Sequence, residues 1–232
     1  MLEIYFSYIK RQPVVSAPVF LTLLPIFLIW RKKAYHDQVF LVLLIYLILK
    51  FGVDFVMFDW ASRKKNTVLL YNLSIPVRYV LTSWMYYYKL DFKIQKIWLI
   101  ISLPVFVGFS VWDIIQTNPS MWDLHNHNMV LYSTTVESLL MLFWIMLYFY
   151  NTIRTLKIPN LLNYPFFWIC SGLLLYYSSF LFIAPVLHYA SKWEQWMEIG
   201  FLYYIPYVFE SVSIILFSIG ISQYSDRSYA KQ

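Results

Sequence analysis

The chain alternates between long apolar runs and short polar interruptions. Seven runs, at about residues 13–30, 38–60, 67–88, 97–116, 129–151, 165–188 and 199–221, are apolar over the roughly 17–25 residues that a membrane-crossing helix needs. The interruptions between them are short, the longest being "TNPSMWDLHNHN" (Thr117 to Asn128). Tryptophan and tyrosine crowd several run ends (Trp30, Trp60, Trp84 to Tyr88, Trp98, Trp193, Trp196), where amphipathic rings sit at a membrane–water boundary. The pattern predicts an all-α polytopic membrane protein, a single bundle of seven transmembrane helices over residues 1–232 with no separate soluble domain. The first run, Pro13 to Trp30, is too long for the core of a signal peptide and ends on "RKK" without a small-residue cleavage site, so it is read as a retained helix.

Composition agrees. Of 232 residues, 60% are hydrophobic, 22% aromatic and only 13% charged, against about 45–50% apolar and 25% charged in soluble domains. The net charge of +6 does not indicate nucleic acid, because the basic residues lie in short clusters between apolar runs, where they face lipid phosphates. Their distribution predicts orientation. One side holds ten (Arg31, Lys32, Lys33, Lys89, Lys93, Lys96, Arg154, Lys157, Arg227, Lys231) and the other six (Lys10, Arg11, Arg63, Lys64, Lys65, Lys192). This places the N-terminus outside and the C-terminus in the cytoplasm, with Arg63 to Lys65 as a basic loop on the outer side against the trend. The lone cysteine, Cys170, reads as a small core residue.

Five charged residues lie deep within the apolar runs, away from their ends: Lys50, Asp54, Arg78, Glu137 and Glu210. At about 1.5 Å per residue, Lys50, Arg78 and Glu210 fall near the membrane midplane, with Asp54 and Glu137 about one turn further out. Each sits on a polar stripe at helical spacing. Tyr46 lies four residues before Lys50, and Tyr71 and Ser74 precede Arg78; Ser133 precedes Glu137, while Tyr203, Tyr207 and Ser213 flank Glu210. Such stripes are expected to face the bundle interior, since a charge at the bilayer centre costs about 2.5–3.5 kcal/mol. Two positive and three negative groups leave one carboxylate to be protonated or matched by a cation. The set reads either as a ligand, ion or proton site lined by Tyr71, Tyr203 and Tyr207, or as a polar clasp that fixes helix register.

Other chemistry is weaker. His125, His127 and His188, with Asp59, Asp113, Glu194 and Glu198 at a similar level, are suitable metal ligands and would suit an outer-face hydrolase. No helical HExxH accompanies them, and the loop histidines are read as solvated. The last run has no lysine for retinal, GxSxG is absent, and no cofactor is expected.

The segments "VESLLMLFWIMLYFYN" (Val136 to Asn151), "FFWICSGLLLYYSSFLF" (Phe166 to Phe182) and "LFSIGIS" (Leu216 to Ser222) resemble the uncharacterised bacterial seven-helix membrane proteins often encoded beside sensor histidine kinases. That resemblance implies a sensory or accessory role in the bacterial inner membrane, with a signalling partner at the cytoplasmic face. It carries no catalytic residues. The expected function is therefore receptor-like binding of a small ligand or ion, with transport of a proton, cation or small solute as the alternative and a metal-dependent hydrolase behind it.

Overall fold

The computed structural model of the protein describes residues 2–119, 127–155, 161–190 and 200–225. Among these, every long element is an α-helix: α1 (Leu2–Arg11), α2 (Pro13–Leu21), α3 (Leu23–Arg31), α4 (Gln38–Ser62), α5 (Val68–Lys89), α6 (Lys93–Thr117), α7 (Leu131–Thr155), α8 (Pro165–Ala190) and α9 (Ile205–Ser222). Single 3-10 segments occupy Ala34–His36, Leu161–Asn163 and Gly200–Tyr204.

Six stretches are long and apolar enough to cross a bilayer: Pro13–Arg31, Gln38–Ser62, Lys93–Thr117, Leu131–Thr155, Pro165–Ile183 and Phe201–Ser222. The remaining expected span is α5. It has the length, at 22 residues, but its apolarity is diluted by the polar groups it brings to the interior: Asn72, Tyr79, Thr82, Ser83 and Tyr86 are all buried.

Two features depart from the pattern. The first span is two helices, α2 and α3, broken at Thr22, whose hydroxyl donates to the Pro18 carbonyl at 2.7 Å; Pro25, with no N–H to give, follows the break. Before it lies an unexpected short amphipathic helix, α1. Its Tyr5 and Tyr8 rings pack on Phe58 of α4 at 5.6 and 5.4 Å, and Tyr5 donates to Asp59 at 2.7 Å. A helix polar on one side and apolar on the other suits the membrane surface.

The turns follow from local chemistry. Lys33 adopts a left-handed conformation that ends the α3 region, and Asp37 then caps α4 by accepting from the backbone of Val39 and Phe40 at 2.8 and 3.3 Å. A second left-handed residue, Lys64, ends α4, and Asn66 accepts from Val68 at 2.8 Å to start α5. The start of α7 is capped from α6: the buried Asp113 carboxylate accepts from both Ser133 N–H and Ser133 Oγ, at 2.7 and 2.6 Å.

Around a hydrophobic core, burial differs from that of a soluble bundle in where polar and large apolar side chains lie. Val105, Trp112, Phe143 and Phe182 are exposed, whereas Ser110, Asp113, Ser133, Thr134, Glu137 and Ser138 are buried. An apolar exterior, with polar groups turned into the interior, is what lipid as solvent requires. α8 and α9 pack most intimately, because glycines let their backbones meet. A Cβ at Gly172 would lie 2.8 Å from the Phe217 ring and 2.9 Å from the Ser213 carbonyl, and one at Gly220 would lie 2.5 Å from the Pro165 carbonyl.

The bundle has two chemically distinct ends. At the first, Asn66 reaches the carbonyl of His127, Asn72 and Asn118 both reach that of Asn128, and Tyr204 reaches Gln12. At the second, Lys32 bonds the carbonyls of Ser222 and Tyr224, tying the end of α3 to the end of α9. Lys89 meets Tyr164 there at 3.1 Å, and Gln95 meets Asn151 at 2.8 Å.

Candidate functional site

The five charged residues deepest in the apolar runs, Lys50, Asp54, Arg78, Glu137 and Glu210, face inward and resolve into two groups. Arg78 of α5 and Glu137 of α7 form a two-pronged ion pair, with Nε to Oε1 at 2.8 Å and Nη2 to Oε2 at 2.5 Å. A planar guanidinium matched to a planar carboxylate makes two parallel bonds, the strongest geometry available to such a pair. Tyr177 of α8 adds a hydroxyl donor to Glu137 at 3.3 Å. The rings of Tyr71 and Tyr176 lie 5.7 Å from the guanidinium carbon, where their negative faces favour the cation. The Glu137 side chain is 1% exposed and the Arg78 side chain 12%. This group is closed and charge-balanced.

The second group is neither closed nor balanced. Lys50 of α4 bonds Asp54, one turn further along the same helix, and also Glu210 of α9. One cation thus serves two carboxylates. Asp54 is the most accessible of the three at 23% of its side chain, against 11% for Lys50 and 14% for Glu210. The backbones of α4 and α9 make little direct contact, and α2 and α3 pack against both, so the Lys50–Glu210 bond is a direct link between two helices otherwise joined through others.

A cavity of about 90 Å³ borders the second group. Asp54 and Glu210 supply its charge, and Tyr8, Phe58, Tyr203 and Tyr207 supply aromatic walls. The remainder is Thr67 and the apolar side chains of Val15, Pro18, Val19, Met57 and Ala61. Tyr203 and Tyr207 face each other with hydroxyls 3.3 Å apart. Burial, then the neighbouring Tyr203, raise the Tyr8 phenol above its ordinary range, with Arg11 partly offsetting them. Tyr8 is therefore neutral at physiological pH, and the negative charge of the cavity belongs to its carboxylates.

The eight residues expected to form one site are thus divided. Lys50, Asp54, Glu210, Tyr203 and Tyr207 converge at or beside the cavity; Arg78, Glu137 and Tyr71 form the neighbouring clasp. Sequence reasoning missed Tyr8, because α1 was unexpected, and the bond from Tyr177, because its run bears no Asp, Glu, Lys or Arg to draw attention to it. It also reads the loop histidines as solvated, whereas His127 is buried, its carbonyl pinned by Asn66 at 3.1 Å. His125 and the side chain of His188 lie outside the described residues. Among the described residues, no group of three or more His, Cys, Asp and Glu side chains is placed to hold a metal ion. Cys170 is buried, and Tyr86 donates to its sulfur at 3.4 Å.

Comparison with known proteins assigns no relative: no protein-family model matches the chain, and neither a curated protein nor a solved structure matches it significantly. The functional reading rests on the geometry.

Proposed function

We propose that this integral membrane protein is receptor-like: it binds a small ligand or ion at the Lys50–Asp54–Glu210 group and its cavity, and binding changes how α4 and α9 pack. The proposal includes seven crossings, with α5 as the third, the first end of the bundle outside and the second in the cytoplasm of a bacterial inner membrane. One observation carries the reading. A single lysine is shared between carboxylates of two helices that barely touch, at the wall of a cavity. Whatever engages either carboxylate competes for Lys50 and so changes the α4–α9 bond. A ligand shifts a conformational equilibrium only through such differential interaction with its two states. α9 would carry the change to the second end, where its last turn is tied to Lys32. A signalling partner at that face, such as a sensor kinase, would read it.

Spin labels at Gln38→Cys and Ser222→Cys, both exposed at the second end, report the α4–α9 separation in lipid nanodiscs. Glu210→Gln and Lys50→Met are expected to shift or broaden the distance distribution. Distributions identical to the parent in both variants would overturn the reading.

Transport is the second reading, favoured by the interrupted helices beside the cavity. The break at Thr22 lies just beyond Pro18 and Val19, and the 3-10 segment Gly200–Tyr204 leads into α9 and carries Tyr203. Broken helices beside a central site are a transporter feature. Saturable uptake into proteoliposomes that Glu210→Gln abolishes would favour this reading.

A further inference from the structure

From the chemistry of its cavity we infer that the site takes a small organic ammonium, an amine cation bearing methyl or short alkyl groups, rather than an anion or a bare metal ion. The inference rests on the proposed binding role of the Lys50–Asp54–Glu210 group and names its ligand class. Charge is the first argument. With both carboxylates ionised, Lys50, Asp54 and Glu210 sum to one negative charge and the Arg78–Glu137 pair sums to zero, so a single positive charge, a proton or a bound cation, completes the site. An anion would add to the excess.

The walls decide what kind of cation. Hard metal ions require a shell of six or more oxygens, and here Asp54 and Glu210 alone supply charged oxygens to the cavity. The rest of the lining is mostly aromatic and apolar, with Phe58, Tyr8, Tyr203 and Tyr207 supplying the rings. A substituted ammonium fits both surfaces. Its nitrogen faces Asp54 and Glu210, and its methyl groups, which carry much of the positive charge, face the electron-rich rings. Aromatic walls of this type recognise alkylated ammonium groups. A volume of about 90 Å³ exceeds the roughly 10–15 Å³ that admits one water, and limits the guest to a few heavy atoms.

The test uses the full chain in nanodiscs with the chlorides of methylammonium, dimethylammonium and tetramethylammonium as probes. Sodium and potassium chloride, tert-butanol and tetraethylammonium are the comparators, and calorimetry and thermal unfolding the readouts. Saturable binding of at least one methylated ammonium is expected, with a rise in unfolding temperature and with tetraethylammonium excluded by size. Asp54→Asn and Glu210→Gln should weaken it at least tenfold. Ala61→Phe, which fills the cavity and leaves every charge in place, should abolish it; this arm stands if the charge variants fail to fold. An equal response to sodium or potassium chloride, to the neutral alcohol, or to none of the probes would overturn the assignment. The spin-label experiment uses no ligand, so a failure here leaves the α4–α9 mechanism to be judged separately.

Discussion

Lys50 on α4 and Glu210 on α9 are bonded to each other across two helices whose backbones make little direct contact, while Asp54 claims the same ammonium. Two carboxylates around one cation are stable only while the cation is present. Lys50→Met leaves the pair facing each other in a low-dielectric interior, and breaking a buried pair from one side costs about 3–5 kcal/mol. Lys50→Met should therefore lower the unfolding temperature sharply in nanodiscs, and Glu210→Gln less so, because Lys50 keeps Asp54. Combining Lys50→Met with Asp54→Asn and Glu210→Gln should restore most of the loss, as thermal unfolding will show.

Arg78 and Glu137 should behave differently. Their pair is charge-balanced and closed by Tyr71, Tyr176 and Tyr177, so nothing about it needs a ligand. Either single change, Arg78→Met or Glu137→Leu, strands a buried charge and should cost about 3–5 kcal/mol. The double variant should recover to within about 1 kcal/mol of the parent, since apolar replacement of a whole buried pair is often neutral or better. If it also leaves ammonium binding intact, the clasp is structural and the function lies with the Lys50 group. A double variant as unstable as the singles would assign the pair a role beyond register.

The sequence makes the helices and the inward-facing charges legible because both obey solvent rules. Apolar runs of bilayer length must be helical, and ionised groups within them must avoid lipid. Which charges pair is set by helix rotation and neighbour order, which single-helix spacing does not encode. Lys50 and Asp54, four residues apart, announce their own contact. Nothing in the sequence says that Glu210 rather than Glu137 completes that group. Tyr8 was illegible for another reason: α1 is too short and too polar to read as a span, and its place over the cavity comes from packing on Phe58.

The glycines provide an internal control on the α8–α9 unit. At Gly220 an added methyl would lie 2.5 Å from the Pro165 carbonyl and 3.0 Å from Trp168 Cβ, and neither atom belongs to a flexible side-chain end. Gly220→Ala should force the helices apart and cost about 1–3 kcal/mol, the usual penalty for overpacking. At Gly52 and Gly108 no atom lies within 4 Å of the added methyl. There the change should be neutral or stabilising by up to about 1 kcal/mol, from helix propensity alone. Equal losses at all the sites would contradict the tight α8–α9 contact.

The crossing of the bilayer by α5 is the boldest topological expectation, since α5 is diluted by buried polar groups and bears Arg78 at its middle. If it crosses, Lys64 before it and Asp91 after it face opposite compartments, although α4 and α6 meet the apolar requirement either way. The native thiol is buried, which keeps the background low for cysteine labelling. In intact cells, a membrane-impermeant maleimide should modify Lys64→Cys readily and Asp91→Cys only after permeabilisation. The opposite result would invert the bundle and return the basic residues 63–65 to the cytoplasm. Labelling of both positions from one side would mean that α5 does not cross.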